Sequence, residues 1–360
     1  MIKNNTPVLV GCGQVTQKIE NPEDAKDPLE LMKESSLIAI EDSTINDLVS
    51  HIDTVTAVRF IFDSEGGKRP PFTIYSNPPK TLADKLGIVD AKTYNGPTGG
   101  NTPQYLINIL AEKITNGESN VALLSGAECF STMRKASRQG IKTGWGEDSG
   151  GKRIDIGFEK AGGTENERKH GIIFPVSVYP LFENAIRDKK NHSIEQHLNF
   201  LGEMFEPFTK VASEHPNAWF PTFRSAKEIS TVSESNRFIG FPYTKYMNAI
   251  MEVDQSASII IMSEEKANEL SIPQNKRVYL HGCADINEVW NVTERPELNS
   301  SNAIRLMGEK AFKMANWNID EIDFFDLYSC FPSMVELGRE ALDISPNNTK
   351  PLTVTGGLTY

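Results

Sequence analysis

The chain has 360 residues, and at about 150 residues per domain that allows two domains or one large one. It is 39% hydrophobic and 24% charged, the balance of a globular enzyme rather than of a disordered or fibrous chain. Its 37 basic and 48 acidic residues give a net charge of -11, which sets nucleic-acid binding aside, and no apolar run approaches the length of a membrane span.

The 4 cysteines, Cys12, Cys129, Cys283 and Cys330, form no CxxC pair and stand near no histidine at finger-like spacing. This suggests a reducing compartment, no disulfide scaffold and no metal site. The N-terminus carries no apolar stretch of signal length, so a cytoplasmic location is expected.

Strand-like and helix-like segments alternate. Pro7 to Val10 reads as a buried strand, with Gly11 and Gly13 as its closing turn. Gly11-x-Gly13 is no dinucleotide fingerprint, because the third glycine is missing. Asp27-Pro28 has the form of a helix cap and first helical residue, and Leu29, Leu31, Met32, Leu37, Ala39 and Ile40 follow as an apolar face. Thr54 to Phe60 reads as a strand, 64 to 80 as a loop, and Lys80 to Leu86 as a short helix.

The stretch from 94 to 131 is the most informative. A glycine-rich approach containing Gly96, Gly99 and Gly100 reaches Thr102-Pro103, a second cap and first residue. Leu106, Ile107, Leu110, Ala111 and Ile114 then recur at helical spacing, and Asn116-Gly117 ends the helix. Val121 to Leu124 is a buried-strand run leading to Glu128, expected to accept from turn amides. Cys12 and Cys129 follow strands and read as core packing. Residues 132 to 172 form a long irregular excursion, helices are predicted near 180 to 188 and 194 to 213, and a domain boundary fits near 245. Beyond it come strands at Ala257 to Met262, Arg277 to His281 and Ile322 to Leu327. Helices are expected from Ser263 to Leu270, Asn302 to Ala315 and from Pro332. The alternation predicts an α/β protein.

Three motifs, in order, carry a resemblance: Gly99-Gly100-Asn101-Thr102-Pro103-Gln104, Pro242-Tyr243-Thr244-Lys245 and Leu327-Tyr328-Ser329-Cys330-Phe331-Pro332-Ser333. Together with Val121 to Glu128 and Asp254 to Ser263 they make the whole chain resemble the thiolase superfamily, in its divergent acetyl-CoA acetyltransferase-like branch. The resemblance implies a thiolase fold, layered αβαβα, of two similar halves. Residues 1 to 245 would be the first half, including the excursion from 132, and 246 to 360 an incomplete second half. It implies an acyl-CoA ester as substrate, no permanently bound cofactor, a role in lipid metabolism and a homodimer paired through the strand at Val121 to Leu124.

Thiolase chemistry passes an acyl group through a cysteine at a helix N-terminus, where the dipole lowers the thiol pKa. Matching the helix end at Asn116-Gly117 puts Gly100 at the nucleophile position, so the usual acyl-enzyme has no atom to form on. Tyr328 stands where the family offers Asn or His to an oxyanion hole, and a phenol can donate there. The resemblance thus makes Tyr328, Ser329, Cys330 and the empty Gly100 position the catalytic candidates. Gly99, Asn101 and Phe331 become the substrate-binding candidates. Cys330 precedes Phe331-Pro332, near the start of a helix, where a displaced nucleophile would stand. The family's later Gly-His-Pro and Cys-x-Gly elements would follow Gly356-Gly357 and do not occur before Tyr360. Two functions are implied: an acyl-CoA acyltransferase with direct transfer to the acceptor, or a non-catalytic thiolase-fold subunit that binds CoA esters or scaffolds an OB-like partner.

Overall fold

The computed structural model describes residues 2–63, 75–147, 149–158, 160 and 162–360. Most of the loop expected at 64 to 80 lies outside them. The chain forms two compact units, Met1–Lys160 with Met251–Leu280, and Ala161–Ile250 with His281–Tyr360. One crossing, at 250/251, falls near the boundary expected at 245, and the chain crosses at two further points. No helix of the described residues is long and apolar enough to cross a membrane.

The first unit is built on a mixed six-stranded sheet. Its strands are β1 (Pro7–Thr16), β2 (Thr54–Ala57), β3 (Lys92–Asn95) and β4 (Val121–Cys129), with two more near the end of the unit. Those two are β7 (Asp254–Ser263) and β8 (Val278–Tyr279), numbered after β5 (Phe238–Gly240) and β6 (Tyr243–Thr244) of the second unit. The order is β3-β2-β4-β7-β1-β8. β2 runs parallel to β3 and β4, whereas β7 is antiparallel to β4 and β1.

Helices α1 (Pro28–Asp42) and α2 (Pro78–Leu86) cover one face of this sheet and α3 (Thr102–Thr115) the other. The alternation along the strands shows it. Val121 and Leu123 of β4 join the α1 side with Ile260 and Met262, while Ala122, Leu124 and Ile261 join the α3 side. α1 starts where Asp27-Pro28 predicts: the Asp27 carboxylate accepts from Leu29 N at 2.7 Å and Glu30 N at 2.9 Å. Leu37 departs from the expected apolar face and is 47% exposed.

β1 is longer than predicted, because Gly11 and Gly13 lie inside the strand instead of turning it. A bulge between Leu9 and Gly11 shifts the pleat by one residue. A Cβ on Gly11 would stand 2.1 Å from the Ala39 carbonyl oxygen, and one on Gly13 2.1 Å from that of Ser35. The glycines therefore let α1 press against the strand. Beside them Ser35 meets Ser256 at 2.8 Å and Ser258 at 2.6 Å, and Ser258 reaches Ser125 at 2.7 Å.

The strand at Val121 to Leu124 corrects another expectation. β4 is bonded on both sides, by β2 and β7, so it has no free edge for a twin across a two-fold axis. The outer strands are β3 and β8. Even β3 is partly covered, since Asn95 N donates to Ile154 O at 2.8 Å and Ile156 N to Asn95 O at 2.9 Å. Cys129 is buried as expected, but Cys12 is exposed, with its N–H bonded to the Asp42 carboxylate at 3.1 Å.

After α4 (Phe130–Gln139), the second unit contributes α5 (Glu165–Lys169), α6 (Pro175–Lys189), α7 (Ile194–Glu214) and α8 (Ala226–Ser230). α9 (Glu264–Glu269) belongs to the first unit, and α10 (Asn302–Ala315) and α11 (Pro332–Ala341) to the second. The second unit's main core gathers Leu201, Phe205 and Phe208 of α7 with Tyr243, Met247, Phe331 and Val335. The strand expected at Ile322 to Leu327 does not form. One ladder-like bond, Leu327 N to Leu352 O at 2.9 Å, remains, and the Asp326 carboxylate binds Thr353 Oγ1 at 3.0 Å and Val354 N at 3.2 Å.

Glu128, at the end of β4, is the amide acceptor expected of it: Oε1 accepts from Ile61 N at 2.8 Å. Burial pushes its carboxyl up to about 7. A raised carboxyl contributes stability below its unfolded value near 4.5 and loses it as pH rises through 7. Glu128→Gln should therefore gain on the parent between pH 4.5 and 8, by at most about 3 kcal/mol. Denaturant unfolding across that range measures it, and a difference independent of pH would refute it. Gly11→Ala should cost about 1–3 kcal/mol in the same assay, because the obstructing atom is backbone.

Candidate functional site

The glycine-rich approach ends β3 and opens α3. Gly96 leaves room for Leu106 of α3, whose Cδ1 would stand 2.6 Å from a Cβ there. The helix starts one residue earlier than expected from a cap at Thr102: Thr102 is the first helical residue and Asn101 the capping position. Asn101 makes no side-chain cap hydrogen bond, and both it and Gly100 are exposed. The positive end of the α3 dipole is thus uncapped by its own side chain, next to a backbone with no Cβ at 99 or 100. Just before it, the Thr98 hydroxyl is buried without a hydrogen-bond partner among the described residues.

Tyr328, Ser329, Cys330 and Phe331 form one loop at the start of α11, in the other compact unit. Ser329 is buried, and its Oγ accepts from Leu358 N at 3.0 Å. Its role is to pin the Gly356-Gly357 turn, where a Cβ on Gly357 would stand 2.4 Å from that oxygen. Phe331 is also buried, stacked on Tyr179 at 4.5 Å and tilted against Tyr243 at 5.4 Å. Tyr328 is 43% exposed and can meet a ligand.

Cys330 lies between two phenols. Tyr328 and Tyr179 both hydrogen-bond its sulfur, as do the backbone amides of Phe331 and of Cys330 itself. These four interactions favour the thiolate, but desolvation outweighs them and pushes the thiol up to about 11. Burial likewise pushes the Tyr328 and Tyr179 hydroxyls up, so both remain neutral donors. The thiol of Cys330 is therefore not primed as a nucleophile.

Sequence reasoning missed a second constellation behind this loop. α6 carries Tyr179 against Phe331 and, one turn on, Glu183. α11 carries Ser333 and Glu336, and α7 carries His197. Glu183, His197, Tyr243 and Ser333 are fully buried, and Glu336 is 6% exposed. His197 Nε2 is 2.8 Å from Glu183 Oε1, and the Tyr243 hydroxyl donates to Glu183 Oε2 at 2.8 Å. Burial raises both carboxyls and lowers the His197 imidazole to about 4, leaving the ring neutral. The signal that could have flagged it is polar residues recurring on otherwise apolar helix faces, Glu183 after Tyr179 and Glu336 after Ser333.

Comparison with known proteins fits this architecture. No family model matches the chain. An acetyl-CoA acetyltransferase of Candida albicans is 24% identical over 276 residues, 71% of this chain and 64% of that protein. The chain thus spans less than two thirds of that relative. Acetyl-CoA acetyltransferase IB of Candida tropicalis is 23% identical over 299 residues, 78% of this chain and 70% of that protein. Among solved structures, a monomeric SCP2-thiolase-like protein type 1 of Mycobacterium smegmatis superposes with a TM-score of 0.79 at 31% identity, over 100% of this chain and 68% of that one. The dimeric peroxisomal thiolase of Saccharomyces cerevisiae gives 0.62 at 15% identity, over 100% of this chain and 87% of that one. An Ltp2-ChsH2(DUF35) aldolase gives 0.70 at 16% identity, over 98% of this chain and 85% of that one. Fold, motifs and relatives agree, and the chain belongs to the thiolase superfamily as a divergent member.

Proposed function

We propose that the protein binds an acyl-coenzyme A ester and transfers its acyl group directly to a second substrate, with no cysteine thioester between. The observation that carries this reading is the state of the thiols. Position 100 offers no side chain, and Cys330 is buried with its thiol pushed up to about 11. The named acetyltransferases among the relatives support the substrate class. Within the first unit, the uncapped start of α3, with Gly99, Gly100 and Asn101, offers the backbone approach that a phosphate group needs. Tyr328 would donate to the thioester oxygen by turning its hydroxyl from the Cys330 sulfur to the ligand, and a neutral phenol can stabilise the charge that develops there. The acceptor's nucleophile would bond to the carbonyl carbon, the carbon–sulfur bond would break, and the coenzyme would leave as its thiol with the acceptor's proton.

A second reading rests on the same missing nucleophile: a non-catalytic subunit that binds CoA esters or supports a partner. The aldolase among the structural relatives is described together with a DUF35 protein, which gives that reading its concrete form.

Calorimetry with CoA and intact-mass analysis after acetyl-CoA separate the readings. Binding without a covalent adduct, plus free CoA appearing when an acceptor is supplied, is the expected result. Tyr328→Phe should lower that release about 100-fold with little change in CoA affinity. An acyl-cysteine formed at the rate of turnover would refute direct transfer, and binding with no release under any acceptor would favour the subunit reading. Alkylation at pH 8 should reach the exposed Cys12 while leaving Cys330 and Cys129 unmodified until the chain is unfolded.

A further inference from the structure

We propose that Glu183, His197 and Glu336 form a binding site for one divalent transition-metal ion. The three come from three different helices, α6, α7 and α11, and each presents a ligand atom within 4.8 Å of the others. All three are buried. One imidazole with two carboxylates is a donor set for zinc, manganese or ferrous iron.

The atoms surrounding the set support this. Each ligand is held from behind by a separate partner. Glu183 Oε2 accepts from the Tyr243 hydroxyl at 2.8 Å, and that hydroxyl is 2.9 Å from Ser333 Oγ. Glu336 Oε2 is 3.4 Å from Lys190 Nζ. His197 Nδ1 lies 3.3 Å from His192 Nδ1. Such outer partners are what orient metal ligands and fix the imidazole tautomer. With Oε2 directed to Lys190, the free oxygen of Glu336 is Oε1. It is buried and no described residue donates to it, while the Glu183 carboxyl lies within hydrogen-bond reach of Glu336. Two buried carboxylates in contact call for a proton or a cation between them.

A proton shared by the two carboxyls is the competing species. Two carboxylates carry the charge that one divalent ion cancels. The ion would need the 2.8 Å gap between His197 Nε2 and Glu183 Oε1 to open to about 3.3 Å, the separation of two tetrahedral ligands at zinc distances. That is a small adjustment for side chains on separate helices. The site would tie α6, α7 and α11 together behind the Tyr328 loop.

The full chain, purified without chelator, should contain close to one equivalent of metal by elemental mass spectrometry. After chelation, Co2+ should restore one equivalent with a visible d–d band that Zn2+ abolishes, and each ion should raise the melting temperature. Glu336→Gln should weaken Co2+ binding at least 10-fold. Tyr243→Phe, which leaves all three ligands in place, should weaken it about 10-fold, and it serves if Glu336→Gln does not fold. A folded parent with no metal above background, no cobalt band and no thermal shift would overturn the proposal and assign the pair a shared proton.

Discussion

The approach of α1 to β1 constrains everything else in the first unit. No side chain fits between the Gly11 and Gly13 backbone and the carbonyls of Ala39 and Ser35. At that distance α1 reaches past β1 to β7 and β4, and the Ser35, Ser258 and Ser125 hydroxyls close a polar chain where larger residues would pack. Small residues in the seam keep the sheet flush with the helix. They also fix β7 between β1 and β4, and β4 then fixes β2, β3 and the point where the chain enters α3. A side chain at position 11 would lift the helix from Val8, Val10 and Ile260, so the geometry of the α3 start depends on two missing methyl groups some ninety residues earlier in sequence.

That seam also explains which parts of the fold were legible. Elements with strong local signals were readable. Asp27-Pro28 caps α1, Asn116-Gly117 closes α3, and the apolar run into Glu128 is a buried strand. Gly11 and Gly13 were misread because a glycine has the same letter whether it frees a dihedral or admits a neighbour, and only the neighbour decides. Val121 to Leu124 looked like a pairing edge because an apolar run does not say how many partners it has. In the structure it has two. Ile322 to Leu327 has strand composition, but strand formation needs a partner as well as a pattern, and here Asp326 spends its carboxylate on Thr353 and Val354 instead. Glu183 and His197 lie 14 residues apart on successive helices, but Glu336 comes from a third helix far along the chain, and no spacing rule joins the three.

Cys330 shows how magnitudes settle a plausible motif. A cysteine just before a helix invites a reactive thiolate, and the dipole supplies roughly 0.3–1 kcal/mol, up to about 2 in partly buried sites. Pro332 at the first helical position removes one of the amides that would supply it. Against this, a rise from 9.0 to about 11 corresponds to about 3 kcal/mol disfavouring ionisation, after the phenols and amides have already acted. At neutral pH the thiolate fraction is then of order one in ten thousand. The stable arrangement is a neutral thiol accepting from neutral phenols. Tyr328 is half exposed, but its one hydroxyl proton rests on that sulfur, so it would act on a ligand only by turning away from Cys330. Under the proposed direct transfer, catalysis would rest on hydrogen bonding to the thioester rather than on a thiolate at Cys330.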